Sequence, residues 1–190
     1  MRRFSYFYQK ISVKIVLNEQ QLDITIKRLS HQILENHTDL RDTVIIGIQP
    51  RGVFLSDQIV SELKTLVDPG NIKYGILDIT FYRDDVRQEI HVPNQTKISF
   101  TIENKNVVLV DDVLHTGRTI RAALDALMDF GRPSRVELCT LIDRRFSRQL
   151  PIQADYVGKS IDSIISQRVK VFWKPRDEKQ EVVLEEGDEG

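Results

Sequence analysis

Asp111 and Asp112 are adjacent carboxylates that close an apolar run, and four residues after the second of them the chain reads Thr116-Gly117-Arg118-Thr119. Residues Val107 to Thr119 together spell VVLVDDVLHTGRT. Val107 to Val110 carry a buried-strand signature. Beyond the loop an amphipathic helix is expected, burying Ile120, Ala123, Leu124 and Leu127 and stopping at Gly131, where a C′ glycine belongs. A strand end in an open α/β sheet is where ligands bind. Hydroxyls, a glycine and an arginine leading into a helix N-terminus offer N–H groups and positive dipole to a phosphate. Two carboxylates just upstream accept hydrogen bonds from vicinal hydroxyls. The chemistry suited to that set is the grip of a ribose 5-phosphate.

Other acid-tipped strands fit less well. Receiver domains carry paired acids after their first strand and do not continue Thr-Gly-Arg-Thr. A P-loop ATPase needs G-x-x-x-x-G-K-[ST]. The Gly-Lys-Ser of this chain, Gly158-Lys159-Ser160, has Gln153 where that motif requires its first glycine.

The elements that must position this site are legible by period. A helix over about Glu19 to Asn36 begins with a capping-box pair, Asn18 and Gln21, and buries Leu22, Ile26, Leu29 and Ile33. Lys27 and His31 then point away from that stripe, with Arg28 nearby. Strand Val44 to Ile48, the turn Gln49-Pro50-Arg51-Gly52, and a helix carrying Val53, Ile59, Val60, Leu63 and Leu66 follow. A third strand is expected around Lys73 to Phe81. Arg83 to Thr101 lacks a helical period and reads as a long functional excursion, with a short strand over Lys97 to Ile102. Strand Val136 to Ile142 and an apolar patch at Val169 to Trp173 complete the order. Strands alternating with helices argue for a mainly parallel sheet flanked by helices. The expected organisation is an extension (1–16), one domain (17–176), and an acidic tail (177–190) that frays.

Composition bounds the rest. Hydrophobic residues make up 41% and charged residues 29% of 190, which is ordinary for a soluble globular chain. No apolar run reaches membrane-spanning length, and the N-terminal MRRFSYFYQK is a poor signal peptide, so a cytoplasmic address is expected. Cys139, the single cysteine, lies inside an apolar strand and reads as a buried structural thiol. The net charge of −1 hides an asymmetry: the tail from Asp177 has seven acids against one base, leaving 26 bases and 21 acids in the body, a net of +5. Arg144 to Arg176 alone has eight bases and two acids, enough to attract a polyanion, although such a run is more often solvated surface.

With VVLVDDVLHTGRT, Gln-Pro-Arg-Gly after an earlier strand, Asp78-Ile-Thr-Phe-Tyr-Arg-Asp-Asp85 between them and Leu150-Pro-Ile-Gln-Ala-Asp-Tyr-Val-Gly-Lys159 beyond, the chain resembles type I phosphoribosyltransferases, and within them the PyrR family of pyrimidine-operon attenuators and uracil phosphoribosyltransferases. The resemblance covers roughly residues 16–171. It implies the type I fold, with a small hood and a flexible loop, and conversion of 5-phosphoribosyl-1-diphosphate (PRPP) and uracil to UMP and pyrophosphate. Asp111 and Asp112, with Arg83, are then the catalytic residues. PRPP is held by Arg51, Gly52, Asp111, Asp112, Val113, Leu114, His115, Thr116, Gly117, Arg118 and Thr119. The flexible loop carries Arg83, Asp84 and Asp85, and uracil sits near Val157, Val169 and Val171. Mg²⁺ arrives mainly through PRPP oxygens, with no direct protein ligand expected.

The resemblance also implies binding of pyr operon leader mRNA under control of UMP or UTP, and a homo-oligomer. Arg28 and His31 match RNA-contact positions, as do Arg148 and Lys159. Lys27 replaces a Thr and Gln153 replaces an Arg, a loss of about 1.5–3 kcal/mol for a charge-assisted contact. The alternative is a catalytic-only phosphoribosyltransferase for pyrimidine or purine bases. His115 stands where the family commonly has Tyr and is read as a tolerated substitution, since this chemistry needs no strong base. Pro50 replaces a Thr, and proline lowers the cost of a cis peptide from about 3 to below about 1 kcal/mol, so Gln49–Pro50 is expected to be cis.

Overall fold

A computed structural model describes residues 13–83, 95–164, 166–174 and 176–186. Asp84 and Asp85 lie outside the described residues. The elements are β1 (Val13–Leu17), α1 (Glu19–Asn36), β2 (Thr43–Ile48), α2 (Gly52–Leu66), β3 (Lys73–Leu77), β4 (Asn106–Leu114), α3 (Arg118–Leu127), β5 (Arg135–Arg145), β6 (Tyr156–Asp162), β7 (Arg168–Phe172) and β8 (Glu181–Glu185). The chain divides into two compact units, one of residues 23–163 and one of residues 1–22 with 164–190.

The larger unit is built on a sheet of order β3-β2-β4-β5-β6 in which every neighbouring pair is parallel. The three central strands β2, β4 and β5 are buried along nearly their whole length, the pattern of a sheet covered on both faces, while the edge strands β3 and β6 are only partly buried. The core joins Val44, Ile46, Ile48, Leu77, Val107, Leu109, Ile120, Ala123, Ala126, Leu127 and Leu138. Chain order reverses between β2, which leads outward to β3, and β4, which leads the other way to β5. That reversal is the switch point where α/β sheets open a crevice at their carboxyl ends.

Helix α1 starts on the expected box: the Asn18 N–H donates to Gln21 Oε1 at 3.0 Å and the Gln21 N–H to Asn18 Oδ1 at 2.9 Å. Leu22, Ile26, Leu29 and Ile33 are all buried. In α2 the stripe is shifted from the expectation: Leu55 is buried, whereas Val53 is half-buried and Leu66 is exposed. β3 stops at Leu77 instead of reaching Phe81, because the Asp78 carboxylate accepts the Thr80 N–H (3.0 Å) and hydroxyl (2.6 Å) and turns the chain into a short 3₁₀ segment, Thr80–Tyr82. The strand expected over Lys97 to Ile102 reduces to one bridge, Lys97 to Ile76, while Ile98, Phe100 and Ile102 turn into the core. Gly131 ends the α3 region at φ +132°, as expected of a residue without a side chain.

The smaller unit corrects the expected frayed tail. β8 is the central strand of an antiparallel sheet, β1-β8-β7, and Val182 and Val183 are buried. The surrounding acids hid a Val-Val-Leu core segment, since net charge outweighed three apolar residues in the reading. The end of the presumed extension, Val13–Leu17, is likewise a strand. Truncation before Glu181 is therefore expected to remove the middle of this sheet, with lost strand signal in circular dichroism and rapid proteolysis of residues 164–180. A truncated chain as protease-resistant as the full one would count against that.

Candidate active site

At the switch point β4 does not end at its acids. It continues through Asp111 and Asp112 to Leu114, with Asp111 opposite Thr140 and Leu114 opposite Asp143 of β5. The two carboxylates are 7% and 6% exposed, low for charged groups, so their environment decides what they do. Asp111 faces a cleft of about 210 Å³ lined also by Arg83, Val113, Leu114, His115, Thr116, Gly117, Arg118 and Thr119. Asp112 turns to the other side of the crevice, where its Oδ2 accepts the Nε–H of Arg51 at 2.9 Å. The Asp112 N–H also donates to Asp111 Oδ1 at 2.9 Å. Burial first, then the charge of Asp112, pushes the Asp111 carboxyl well above the usual carboxylate range; that amide and the Arg83 and Arg51 charges oppose the rise without cancelling it.

Arg51 sits at the N-cap of α2, directly after the Gln49–Pro50 peptide, which is cis. Gly52 allows a close backbone approach to β4: a Cβ there would lie 2.3 Å from the Val110 carbonyl oxygen and 2.9 Å from Asp111 Cα. Its role is to let α2 lean on the acidic strand and bring Arg51 to Asp112.

The Thr116–Thr119 turn takes its shape from Gly117, which has φ +92° and caps α3. Leu150 and Ile152 pack against it, with 3.2–3.4 Å left where a Cβ would be. The Thr116 carbonyl accepts the N–H groups of Gln149 and Leu150 at 3.0 and 3.1 Å, and Arg118 Nε donates to Gln149 Oε1 at 2.8 Å. None of this support from residues 148–152 was legible from spacing. His115 is half-buried. Burial, then the Arg144 and Arg148 charges, lowers its pKa and favours the neutral imidazole.

Three basic residues read as surface are in different surroundings. Arg144 is buried, its Nε donating to Ser163 Oγ at 2.8 Å. Arg145 pairs with both oxygens of Asp162. Arg148 donates to the His115 carbonyl and to the Asp143 carboxylate. On α1, Lys27 and His31 are exposed, and the Arg28 guanidinium donates to the Gly158 carbonyl at 2.5 Å and the Val157 carbonyl at 3.3 Å, beside the exposed Lys159 of β6. Lys27, Arg28 and His31 lie together on α1, whereas Gly158 of β6 faces that helix at Thr25, so Lys159, the next residue along the strand, points to the opposite face of the sheet; the charge of Arg148 is spent on His115 and Asp143. Of the uracil candidates, Val157 is half-buried on β6, Val169 is half-buried on β7, and Val171 is buried in the sheet of the smaller unit. Cys139 is fully buried, its thiol pushed up to about 12 by burial, which suits a structural group.

A phosphoribosyl transferase domain matches residues 12–176. Proteins named bifunctional protein PyrR are 46% identical over 173 residues in Actinobacillus pleuropneumoniae (90% of this chain, 96% of the relative) and 41% identical over 175 residues in Macrococcus caseolyticus (90% and 98%). The chain belongs to the PyrR family. A PyrR protein of Picosynechococcus is 44% identical over 174 residues, covering 91% of this chain and 97% of that one. Solved hypoxanthine phosphoribosyltransferases share the fold: one from Staphylococcus aureus at TM-score 0.64 and 21% identity (86% of this chain, 85% of that one), and one from Trypanosoma cruzi at 0.68 and 17% (97% and 94%). As a PyrR member the chain is a type I phosphoribosyltransferase. Among the described residues no helix is long and apolar enough to cross a membrane.

Proposed function

We propose that this PyrR-family chain transfers the 5-phosphoribosyl group of PRPP to uracil, yielding UMP and pyrophosphate, and that with a uridine nucleotide bound it also binds pyr operon leader mRNA. One observation carries the transferase reading: the Arg51–Asp112 pair at 2.9 Å and Asp111 meet at the switch point, next to the glycine-shaped Thr116–Thr119 turn. A cation for a diphosphate, carboxylates for ribose hydroxyls and an amide turn for a phosphate follow one another there in the order in which they occur along PRPP.

In the reaction the C1′–O bond breaks, its electron pair leaves with pyrophosphate, and a uracil ring nitrogen forms the new bond to C1′ as its N–H bond breaks, the proton passing to the departing pyrophosphate or to water. Positive charge develops on the ribose ring. Asp111 and Asp112 stabilise that charge while holding the 2′ and 3′ hydroxyls, and Arg51 and Arg83 stabilise the negative leaving group. The turn fixes the 5-phosphate through backbone N–H groups and the α3 N-terminus. Val113, Leu114 and His115 line the route between acids and turn. Phosphoribosyltransferases generally use Mg²⁺ with PRPP. The ion is assigned to PRPP oxygens, with no direct protein ligand, on family resemblance. Bound in that way, the ion neutralises the leaving diphosphate. Asp84 and Asp85 are assigned to orienting the Arg83 loop, and Val157, Val169 and Val171 to the uracil end, on family resemblance.

The test is pyrophosphate release from PRPP with uracil, and with hypoxanthine or guanine as competitors. Release driven by uracil alone supports the reading. Turnover with purines only would replace it with purine salvage, and no turnover with any base would remove it. For the regulatory half, the exposed Lys27, Arg28 and His31 of α1 and the exposed Lys159 of β6 are assigned to RNA contact on family resemblance. UMP-enhanced, salt-sensitive leader binding that His31→Ala and Lys159→Ala leave unchanged would sink it. The working form is assigned as a homo-oligomer, to be checked by sedimentation.

A further inference from the structure

Residue Arg148 lies on the segment that family matching assigns to RNA, but its guanidinium faces inward. One arm donates to the His115 carbonyl, just past the end of β4, and another donates to the carboxylate of Asp143 near the end of β5. Leu114 and Asp143 are the final paired residues of those two strands. Arg148 therefore extends the β4–β5 ladder by one side-chain rung, at the point where the backbone leaves the sheet to form the Thr116–Thr119 turn. Gln149 and Leu150 then donate both N–H groups to the Thr116 carbonyl, and Gln149 Oε1 receives Arg118 Nε. Leu150 and Ile152 close over Gly117.

We propose that Arg148 is a positioning residue for phosphoribosyl transfer: it anchors the 148–152 brace that holds the 5-phosphate turn in its binding shape, and its charge is not spent on RNA. The physical reason lies in the direction of the carbonyls. A phosphate turn works by aiming N–H groups at the anion, and each carbonyl that swings toward the cleft replaces a donor with a lone pair. The His115 and Thr116 carbonyls are the two immediately before Gly117, whose left-handed conformation is easily reversed because it has no side chain. Arg148 holds the first of these carbonyls and its next two residues hold the second. A planar guanidinium suits the role because it satisfies a carbonyl and a carboxylate at once in fixed directions, which an ammonium cannot do. The Arg148 charge lies next to His115, where, after burial and with Arg144, it adds to the lowering of the imidazole pKa.

This inference rests on the transferase reading, and the experiment separates the two. Arg148→Met removes the charge at similar length, and Arg148→Lys keeps the charge without the fork. In the full-length protein Arg148→Met is expected to raise KM for PRPP about tenfold, as loss of a charge-assisted contact does, with kcat and KM for uracil within about twofold. Arg148→Lys is expected to fall between it and the wild type. Calorimetry with ribose 5-phosphate gives the same comparison without turnover, and its Kd should rise by the same factor. UMP-enhanced leader binding, with UMP saturating each variant, is expected to be unchanged. Unaltered PRPP and ribose 5-phosphate affinities in both variants, with leader binding lost, would return Arg148 to the RNA face and overturn the proposal. Should the wild type turn over no uracil, the transferase reading falls, and the ribose 5-phosphate arm still decides the role of Arg148.

Discussion

Asp111→Asn is expected to lower kcat/KM by about 10²–10³ and, in the same protein, to raise thermal stability. Both effects come from one cause. The Asp111 carboxyl is buried beside Asp112, and burial followed by that neighbouring charge raises its pKa well above the ordinary carboxylate value. A folded-state pKa above the unfolded one means that the folded protein binds the proton more tightly. The stabilisation belonging to the protonated form is complete below the ordinary carboxyl range and is lost as pH rises through the raised value. At any pH above that raised value the folded wild type carries an ionised group in an unfavourable place. The asparagine amide keeps the oxygen that accepts the Asp112 N–H at 2.9 Å, so the geometry of the strand end survives while the charge goes.

A gain of about 1 kcal/mol would raise Tm by about 2–4 °C in a chain of this size. The gain should be largest above the raised value and shrink as the pH falls through it toward the ordinary carboxyl range, because wild-type Asp111 then takes up its own proton. Paired thermal melts on both sides of that value, with initial rates at pH 7.5, check both halves. Equal melting temperatures throughout, or an undiminished rate, would show that the burial of Asp111 has no electrostatic consequence. Asp112→Asn is the informative contrast. It removes the 2.9 Å ion pair with Arg51, so activity should fall without the same gain in stability.

What could be read from residue order and what could not divides along physical lines. The motif 107–119, the α1 stripe and its capping box, and the alternation of strand and helix are local. Each is set by residues within one or two turns, and the elements stand in the structure as expected, save that β4 runs on through its acids to Leu114. The stopping point of β3 was missed because Asp78 captures Thr80, a side-chain contact that outweighs the apolar run through Phe81. The tail was misread because charge was counted over fourteen residues while packing acts on two, Val182 and Val183. Arg144 and Arg148 were counted as surface cations for a related reason: composition has no direction, and the sheet turns Arg144 inward and Arg148 onto the phosphate turn. The resemblance assigned Gly52 to PRPP, and the structure adds that its missing side chain also lets α2 approach the backbone of β4.

That last contact yields the second large effect. Gly52→Ala is expected to destabilise the protein by about 3 kcal/mol, the upper end for forcing a methyl into a packed site. The added Cβ would sit 2.3 Å from the Val110 carbonyl oxygen and 2.9 Å from Asp111 Cα, both backbone atoms of a buried central strand that cannot rotate aside. Relief requires α2 to move off β4. Because Arg51 is the N-cap of α2, that movement also draws its guanidinium from Asp112, so the fraction that remains folded should bind PRPP less tightly. Urea unfolding monitored by circular dichroism reads the first effect as a lower midpoint at constant slope. Added PRPP should restore less of the midpoint than it does for wild type, because the stabilisation by a ligand scales with its affinity. Gly70→Ala is the control: a Cβ there meets only the Asp68 side chain, at 3.3 Å, and should shift the midpoint little. If Gly52→Ala unfolds at the wild-type midpoint, α2 and β4 are not in the contact that positions Arg51, and the pairing at the switch point must arise in another way.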